Sequence, residues 1–198
     1  MKSQKFSNEE NNGFFNKLNK IITKKTVTIT GLLAIASYVF LNTLFVSLFQ
    51  SKSNGYPYID VQIFNSAQEF YYLISSYGPL GRSTYIQFSL GFDFILPLIF
   101  WIFFIFAGIY IFRKISNKII WQKIIFFIPL LCILTDWFEN ISFMILIMNY
   151  PTRLYTLFYI ASNLTLVKSI LTIIPISIII IGLIILIVKK LRNKPLYD

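Results

Sequence analysis

Four long apolar stretches, separated by short polar segments, dominate the pattern of this chain. They run over about residues 27–49, 86–112, 124–148 and 169–188. A helix rises about 1.5 Å per residue, so about 20 apolar residues cross the roughly 30 Å hydrocarbon core of a bilayer. Each stretch reaches that length. The pattern therefore predicts four transmembrane helices.

A shorter helix is predicted between the first two spans, over residues 66–77. Ser66 precedes Glu69 by three positions, which is the spacing of a capping box at a helix N-terminus. An apolar face follows, and Gly78 and Pro79 end the helix. That face contains Phe70, Leu73, Ile74 and Tyr77. Its pattern favours a helix at the outer membrane surface, with the apolar face among the headgroups. A helix folded over the mouth of the bundle is the alternative, and the two arrangements are compatible with each other.

Composition supports a membrane protein and excludes several other classes. Of the 198 residues, 56% are hydrophobic and 13% are charged, whereas soluble domains carry about 25% charged residues. The chain has no histidine and a single cysteine, so it cannot form a Ser-His-Asp triad, a histidine-ligated zinc site or an internal disulfide. We predict an all-α membrane protein: a four-transmembrane-helix bundle with a short interfacial helix in the first non-cytoplasmic loop.

The basic residues indicate the orientation of the bundle. Of the 18 Lys and Arg residues, 14 lie in the N-terminal segment, the loop between spans two and three, and the C-terminus, and 4 lie in the other loops. Because positive residues accumulate in cytoplasmic loops, we expect both termini in the cytoplasm and the chain in the plasma (cytoplasmic) membrane. The net charge of +10 then reflects topology and contact with the lipid bilayer, and we expect no nucleic-acid partner.

The same features divide the chain into three parts. Residues 1–26 form a polar N-terminus, which we expect to be cytoplasmic and mobile. Residues 27–190 form the four-helix membrane domain, and residues 191–198 form a cytoplasmic tail.

Polar and ionisable residues occur inside or beside the predicted spans, where a charge is costly and commonly marks a functional site. They recur at helical spacing, so each set shares one face of its helix. The sets are Arg82, Tyr85, Ser89 and Asp93 on the second span, Asp136, Glu139 and Asn140 on the third, and Thr165, Lys168 and Thr172 on the fourth helix. We expect this fourth helix to begin before its apolar run, near Tyr159. We expect these faces to meet in the outer half of the bundle.

Carboxyl groups make up the chemically active part of this candidate site. Asp136, Glu139 and Asp93 are the candidate acid or base groups. Because three acids face two cations, we expect Glu139 or Asp136 to be protonated or exposed to water. The nearby Lys168 argues against a metal ion bound by the oxygen atoms of these acids, and we expect neither a metal nor another cofactor. The candidate binding residues are Arg82, Lys168, Tyr85, Asn140 and Thr165.

Three functions are compatible with such a cluster. We favour binding of, or action on, a lipid or other amphipathic ligand, with Arg82 or Lys168 holding an anionic headgroup. The second is a non-catalytic membrane scaffold or partner subunit in which the cluster joins helices. The third is a small proton- or cation-coupled transport component. A lipid site requires a cavity lined by carboxyl groups, whereas paired acids between closely packed helices favour the scaffold.

A series of short motifs runs through the chain from the end of the short helix to the fourth span. They are Tyr77-Gly78-Pro79-Leu80-Gly81-Arg82-Ser83-Thr84-Tyr85, Asp93 with Pro97, Asp136-Trp137-Phe138-Glu139-Asn140, and Ala161-Ser162 with Lys168. Over about residues 57–190 this series resembles a family of four-span integral membrane proteins to which no characterised activity is attached. The resemblance implies that the candidate site residues act as one set, and it implies no substrate.

Overall fold

The computed structural model describes residues 13–59, 62, 64, 66–116 and 118–192. Six helices form this part of the chain. Their ranges are residues 13–21 (α1), Lys24–Lys52 (α2), Ala67–Ser76 (α3), Gly78–Phe112 (α4), Ile119–Met148 (α5) and Tyr155–Arg192 (α6). The described residues contain no β-strand, and the predicted all-α class is confirmed.

Helices α2, α4, α5 and α6 are the four that are long and apolar enough to cross a membrane, as predicted. Each extends beyond the apolar stretch that predicted it. Helix α4 begins at Gly78, because Pro79 fits the first helical turn, where a missing N–H breaks no bond. Gly81, Thr84 and Tyr85 are buried, so the more polar first turns of α4 pack against protein. Hydropathy alone marks the lipid-facing part of a helix and misses such ends.

Two π-helical turns lie within these long helices, at Leu41–Phe45 in α2 and at Ser89–Asp93 in α4. The turn in α4 lies just before Pro97. Proline has no N–H, so Pro97 cannot bond the carbonyl of Asp93, four residues earlier. The wider turn therefore falls where the regular α-helical bonding is already interrupted, and it carries two buried polar residues of the predicted site.

Helices α4, α5 and α6 pack against one another, and α2 packs mainly against α4. Gly31 allows a close approach of α2 to α4, since a methyl group at this position would lie 3.1 Å from the Phe103 ring. The Trp137 indole of α5 donates a hydrogen bond to the Phe94 carbonyl of α4 over 3.3 Å. The bundle is thus a three-helix core with α2 attached along one side.

The two ends of helix α3 are formed by the residues that the sequence indicated. At its start, the Ser66 hydroxyl accepts a hydrogen bond from the Glu69 backbone N–H over 3.2 Å. At its end, Gly78 has a φ of +66°, a conformation that side chains with a Cβ rarely adopt. This residue turns the chain directly from α3 into α4.

The apolar face of α3 is buried inside the protein. The Phe70 ring lies 5.5 Å from the Phe143 ring of α5 and 5.4 Å from the Phe158 ring of α6, centre to centre. The Tyr71 hydroxyl accepts a hydrogen bond from the Leu154 backbone N–H over 2.6 Å. Helix α3 therefore folds over the end of the bundle, which is the second of the two arrangements predicted from the sequence. Its apolar face is buried in the protein, so the predicted placement of this face among the headgroups is not confirmed.

The N-terminal segment contains a packed helix in its described part. Phe15 and Ile22 are buried, and the Asn19 amide donates a hydrogen bond to the Gln122 side chain of α5 over 3.0 Å. The Arg113 guanidinium donates to the Asn19 carbonyl, also over 3.0 Å. Residues 13–22 are thus held against the bundle, although polarity suggested a mobile segment, because Phe15, Leu18 and Ile22 share one face at intervals of three and four residues. Residues 1–12 and 193–198, which include most of the predicted tail, lie outside the described part.

Candidate functional site

Five of the predicted site residues form one group between α5 and α6, called the polar centre below. The Lys168 ammonium lies 3.0 Å from Asp136 Oδ1 and 2.5 Å from Glu139 Oε2. The Thr165 hydroxyl donates to Glu139 Oε1 over 2.6 Å, and the Asn140 amide donates to Asp136 Oδ2 over 3.4 Å. Helical spacing produces this group, because positions three and four apart share a face.

Burial makes the electrostatics of the polar centre strong. Glu139 is 0% exposed, and Asp136, Asn140 and Thr165 are also buried, while 16% of the Lys168 side chain is exposed. A charge away from water is costly unless it is paired and hydrogen-bonded. Each acid of the polar centre has the ammonium on one side and a neutral donor on the other. The expected exposure of Asp136 or Glu139 to water is not found, since both are buried, and protonation of one of them stays a prediction. The ammonium is the one cation of this five-residue group.

Asp93 takes part in a second group, centred on a tyrosine from the loop after α2. The Tyr58 hydroxyl donates to Asp93 Oδ2, and the Ser89 hydroxyl donates to the same oxygen over 2.9 Å. The Tyr58 ring stacks on the Tyr85 ring with 4.7 Å between centres. Burial raises the pKa of the Tyr58 hydroxyl above its ordinary value, so the hydroxyl keeps its proton and remains a donor. The predicted stripe of Tyr85, Ser89 and Asp93 is thus completed by a residue from outside the helix.

Sequence reasoning missed Tyr58. It lies in an extended segment after Gly55, where neither helical nor strand periodicity indicates burial. The residue is nevertheless 2% exposed, with the Phe45 and Phe49 rings 5.0 and 4.8 Å away. Its burial could have been inferred from Asp93, because a buried carboxylate needs hydrogen-bond donors. The carboxylate of Asp93 has only one hydroxyl within its own helical turn, so another donor is expected from elsewhere in the chain.

Arg82 lies apart from the polar centre, at the junction of α3 and α4. Its guanidinium donates to the Ile74 carbonyl over 3.0 Å and stacks over the Tyr150 ring at 4.4 Å. The Ile74 carbonyl belongs to the last turn of α3, where carbonyls lack partners within the helix. Arg82 therefore caps α3 and joins it to the end of α5. These two contacts take the place of the expected contacts between Arg82 and the acids.

None of five cavities outlined by the described residues has a residue of the polar centre in its wall. One is an open groove of about 560 Å³ between α2 and α4. Its wall consists of Ser37, Tyr38, Leu41, Leu96, Pro97, Phe100 and Trp101. Among the described residues, no group of three or more His, Cys, Asp or Glu side chains could hold a metal ion.

Comparison with known proteins adds no family to this picture. The chain matches no protein-family model, no curated protein and no solved structure. The resemblance to a four-span family is therefore supported at the level of architecture alone, by four helices long and apolar enough to span a membrane.

Proposed function

We propose that this chain is a non-catalytic membrane scaffold or partner subunit, whose polar centre fixes α5 against α6. The observation that supports this function best is the shared ammonium of Lys168, held by two carboxylates of the neighbouring helix. Apolar side chains gain little by leaving lipid for protein, so helices in a membrane are joined by close packing and by polar contacts. The polar centre supplies such contacts to the α5–α6 pair.

The same geometry counts against the lipid-ligand function that we first favoured. An anionic headgroup needs a cation, and both candidates are engaged: Lys168 by carboxylates, and Arg82 by a carbonyl and an aromatic ring. The five cavities described above also lie away from the carboxylates. A transporter would need a polar path to the cytoplasmic side, but the apolar run from Ile176 to Val188 occupies that half of α6.

We further propose that both termini face the cytoplasm and that the membrane is the plasma membrane. The support is the distribution of Lys and Arg, with 14 of 18 on the side of the termini and of the loop between α4 and α5. In this orientation the polar centre, α3 and the Tyr58 loop lie toward the outer side.

Native mass spectrometry with co-extracted lipids tests the scaffold function against the lipid-ligand function. Wild type is compared with Glu139→Gln and Lys168→Met, and with Lys190→Met as a control at the exposed end of α6. We expect the same bound lipids in all four proteins, together with lower thermal stability of the two polar-centre variants. Loss of one lipid species from both polar-centre variants, but not from the control, would establish a ligand site instead.

A further inference from the structure

Most of helix α2 faces away from the rest of the protein. It is attached to α4 through one stripe, in which Ala34, Phe45 and Phe49 are buried. Of its most apolar stretch, 17% is buried, compared with 33% for the corresponding stretches of α4 and α5 and 11% for that of α6. Beside the attached stripe, α2 therefore presents a wide surface to the surrounding lipid.

A regular seam runs along this surface. Leu32, Ile35, Val39 and Asn42 follow one another at intervals of three, four and three residues, and all four are exposed. Leu32 and Ile35 are each 63% exposed, and Val39 is 52% exposed. Intervals of three and four are the heptad pattern by which two helices pack side by side. A purely apolar seam of this kind would be ordinary for lipid contact, but this seam contains an amide.

Asn42 is a polar side chain far from either end of α2. Ten residues separate it from Lys52, the last residue of the helix, which corresponds to a depth of about 15 Å. One amide N–H bonds the Tyr38 carbonyl over 2.9 Å. Within the described part of the chain, its second N–H and its carbonyl oxygen have no partner. Leaving such groups in lipid is unfavourable, so the exposed amide indicates a surface that a polar partner covers.

We propose that a second copy of this chain packs on this seam, with Asn42 of each copy hydrogen-bonded to Asn42 of the other. An amide both donates and accepts, so it is complementary to itself. Two copies inserted with the same orientation place their Asn42 side chains at the same depth. A twofold axis along the membrane normal then brings these side chains together, and one polar residue in an apolar seam fixes register and pairing. This interface goes beyond the proposed scaffold function and does not depend on the polar centre.

Cysteine cross-linking in lipid vesicles tests the interface. The single cysteine, Cys132, is buried and is replaced by alanine. Val39→Cys places a thiol in the seam, and Leu33→Cys places one at equal exposure, 52%, about 120° away around the helix. The proteins are reconstituted at low protein-to-lipid ratio in phosphatidylcholine–phosphatidylglycerol vesicles. We expect Val39→Cys, but not Leu33→Cys, to form a species of twice the chain mass.

The role of Asn42 is tested in the Val39→Cys background. Asn42→Leu should lower the dimerisation constant about tenfold, and Asn42→Gln should restore most of it because glutamine keeps the amide. Circular dichroism shows whether each variant retains its helices. Equal cross-linking of the two thiols, absence of cross-linking, or a dimer unaffected by Asn42→Leu in a folded protein would overturn the proposal. A cross-linked species in native membranes that is not twice the chain mass would assign the seam to another protein.

Discussion

Substitution of Lys168 by methionine removes the ammonium that two buried carboxylates share. In the wild type this group lies 2.5 Å from Glu139 and 3.0 Å from Asp136. Methionine fills a similar volume without charge, so the two carboxylates are left side by side on one face of α5. Removing one partner of a buried ion pair costs about 3–5 kcal/mol, because the remaining charge is buried without compensation. We expect the equilibrium constant for folding to fall by a factor of between about a hundred and a few thousand.

The assay is unfolding in mixed micelles, followed by helix content as the fraction of sodium dodecyl sulfate is raised. A rescue variant separates charge from packing: Lys168→Met is combined with Asp136→Asn and Glu139→Gln, which keep the shape of the acids without their charge. Replacing a whole buried ion pair by neutral groups is often close to neutral in stability. We therefore expect the triple variant to recover most of the stability lost by Lys168→Met alone.

The control for Lys168→Met is Lys190→Met, on the same helix but exposed. Surface substitutions generally change stability by less than about 0.5 kcal/mol. The electrostatic account of the polar centre is refuted if Lys168→Met costs less than about 1 kcal/mol, since interhelical polar contacts in membranes average only about 0.6 kcal/mol. It is also refuted if the triple variant is less stable than Lys168→Met.

Three further predictions concern other parts of the chain. Tyr58→Phe removes a donor to Asp93 and should cost about 1.5–3 kcal/mol in the same unfolding assay. Gly81→Ala should cost about 1–3 kcal/mol, because the new methyl group would lie 2.9 Å from the Ser53 Cα. Thr152→Cys, in the chain lacking its native cysteine, should react with a membrane-impermeant maleimide in intact cells, since we expect the loop after α5 on the outer side.

Each of these substitutions has a matched control. Tyr72→Phe, at a tyrosine that is 68% exposed, should leave stability unchanged, and an equal loss there would contradict the role of the Tyr58 hydroxyl. Gly91→Ala, where nothing lies within 4 Å of the added methyl group, should be neutral or slightly stabilising; if it costs as much as Gly81→Ala, close packing is not the cause. Lys190→Cys should react only after lysis, and reaction in intact cells would reverse the proposed topology.

The four spans could be predicted from the sequence because a bilayer imposes a length on apolar runs. The ends of the helices could be predicted only approximately, since they depend on contacts with other parts of the protein. Helix α6 starts at Tyr155, four residues before the predicted start near Tyr159 and well before the apolar stretch that begins at residue 169. The intervening polar residues stay helical because Phe158, Ala161 and Thr165 are buried against neighbouring helices. A lone sequence contains the helical spacing of such residues but not the surface that covers them.

The polar centre was predictable for a related reason. Two acids three residues apart on one helix and a lysine on another helix have few possible partners in lipid. Because an uncompensated charge is costly there, we expect these side chains to converge. The contacts of Arg82 and Asp93 did not follow from the same reasoning. Arg82 meets a helix-terminal carbonyl and Asp93 meets Tyr58. Both partners come from the segments around α3, whose path over the bundle is set by tertiary packing rather than by any local pattern.

Three of the polar contacts between different parts of the chain serve different pairs of elements. Lys168 joins α6 to α5, Tyr58 joins the loop to α4, and Arg82 joins the α3–α4 junction to the end of α5. Helix α2 instead meets α4 through apolar packing, with Gly31 against the Phe103 ring. Because apolar contacts discriminate weakly between registers in lipid, the proposed Asn42 pairing would give α2 a polar contact that its packing on α4 does not supply.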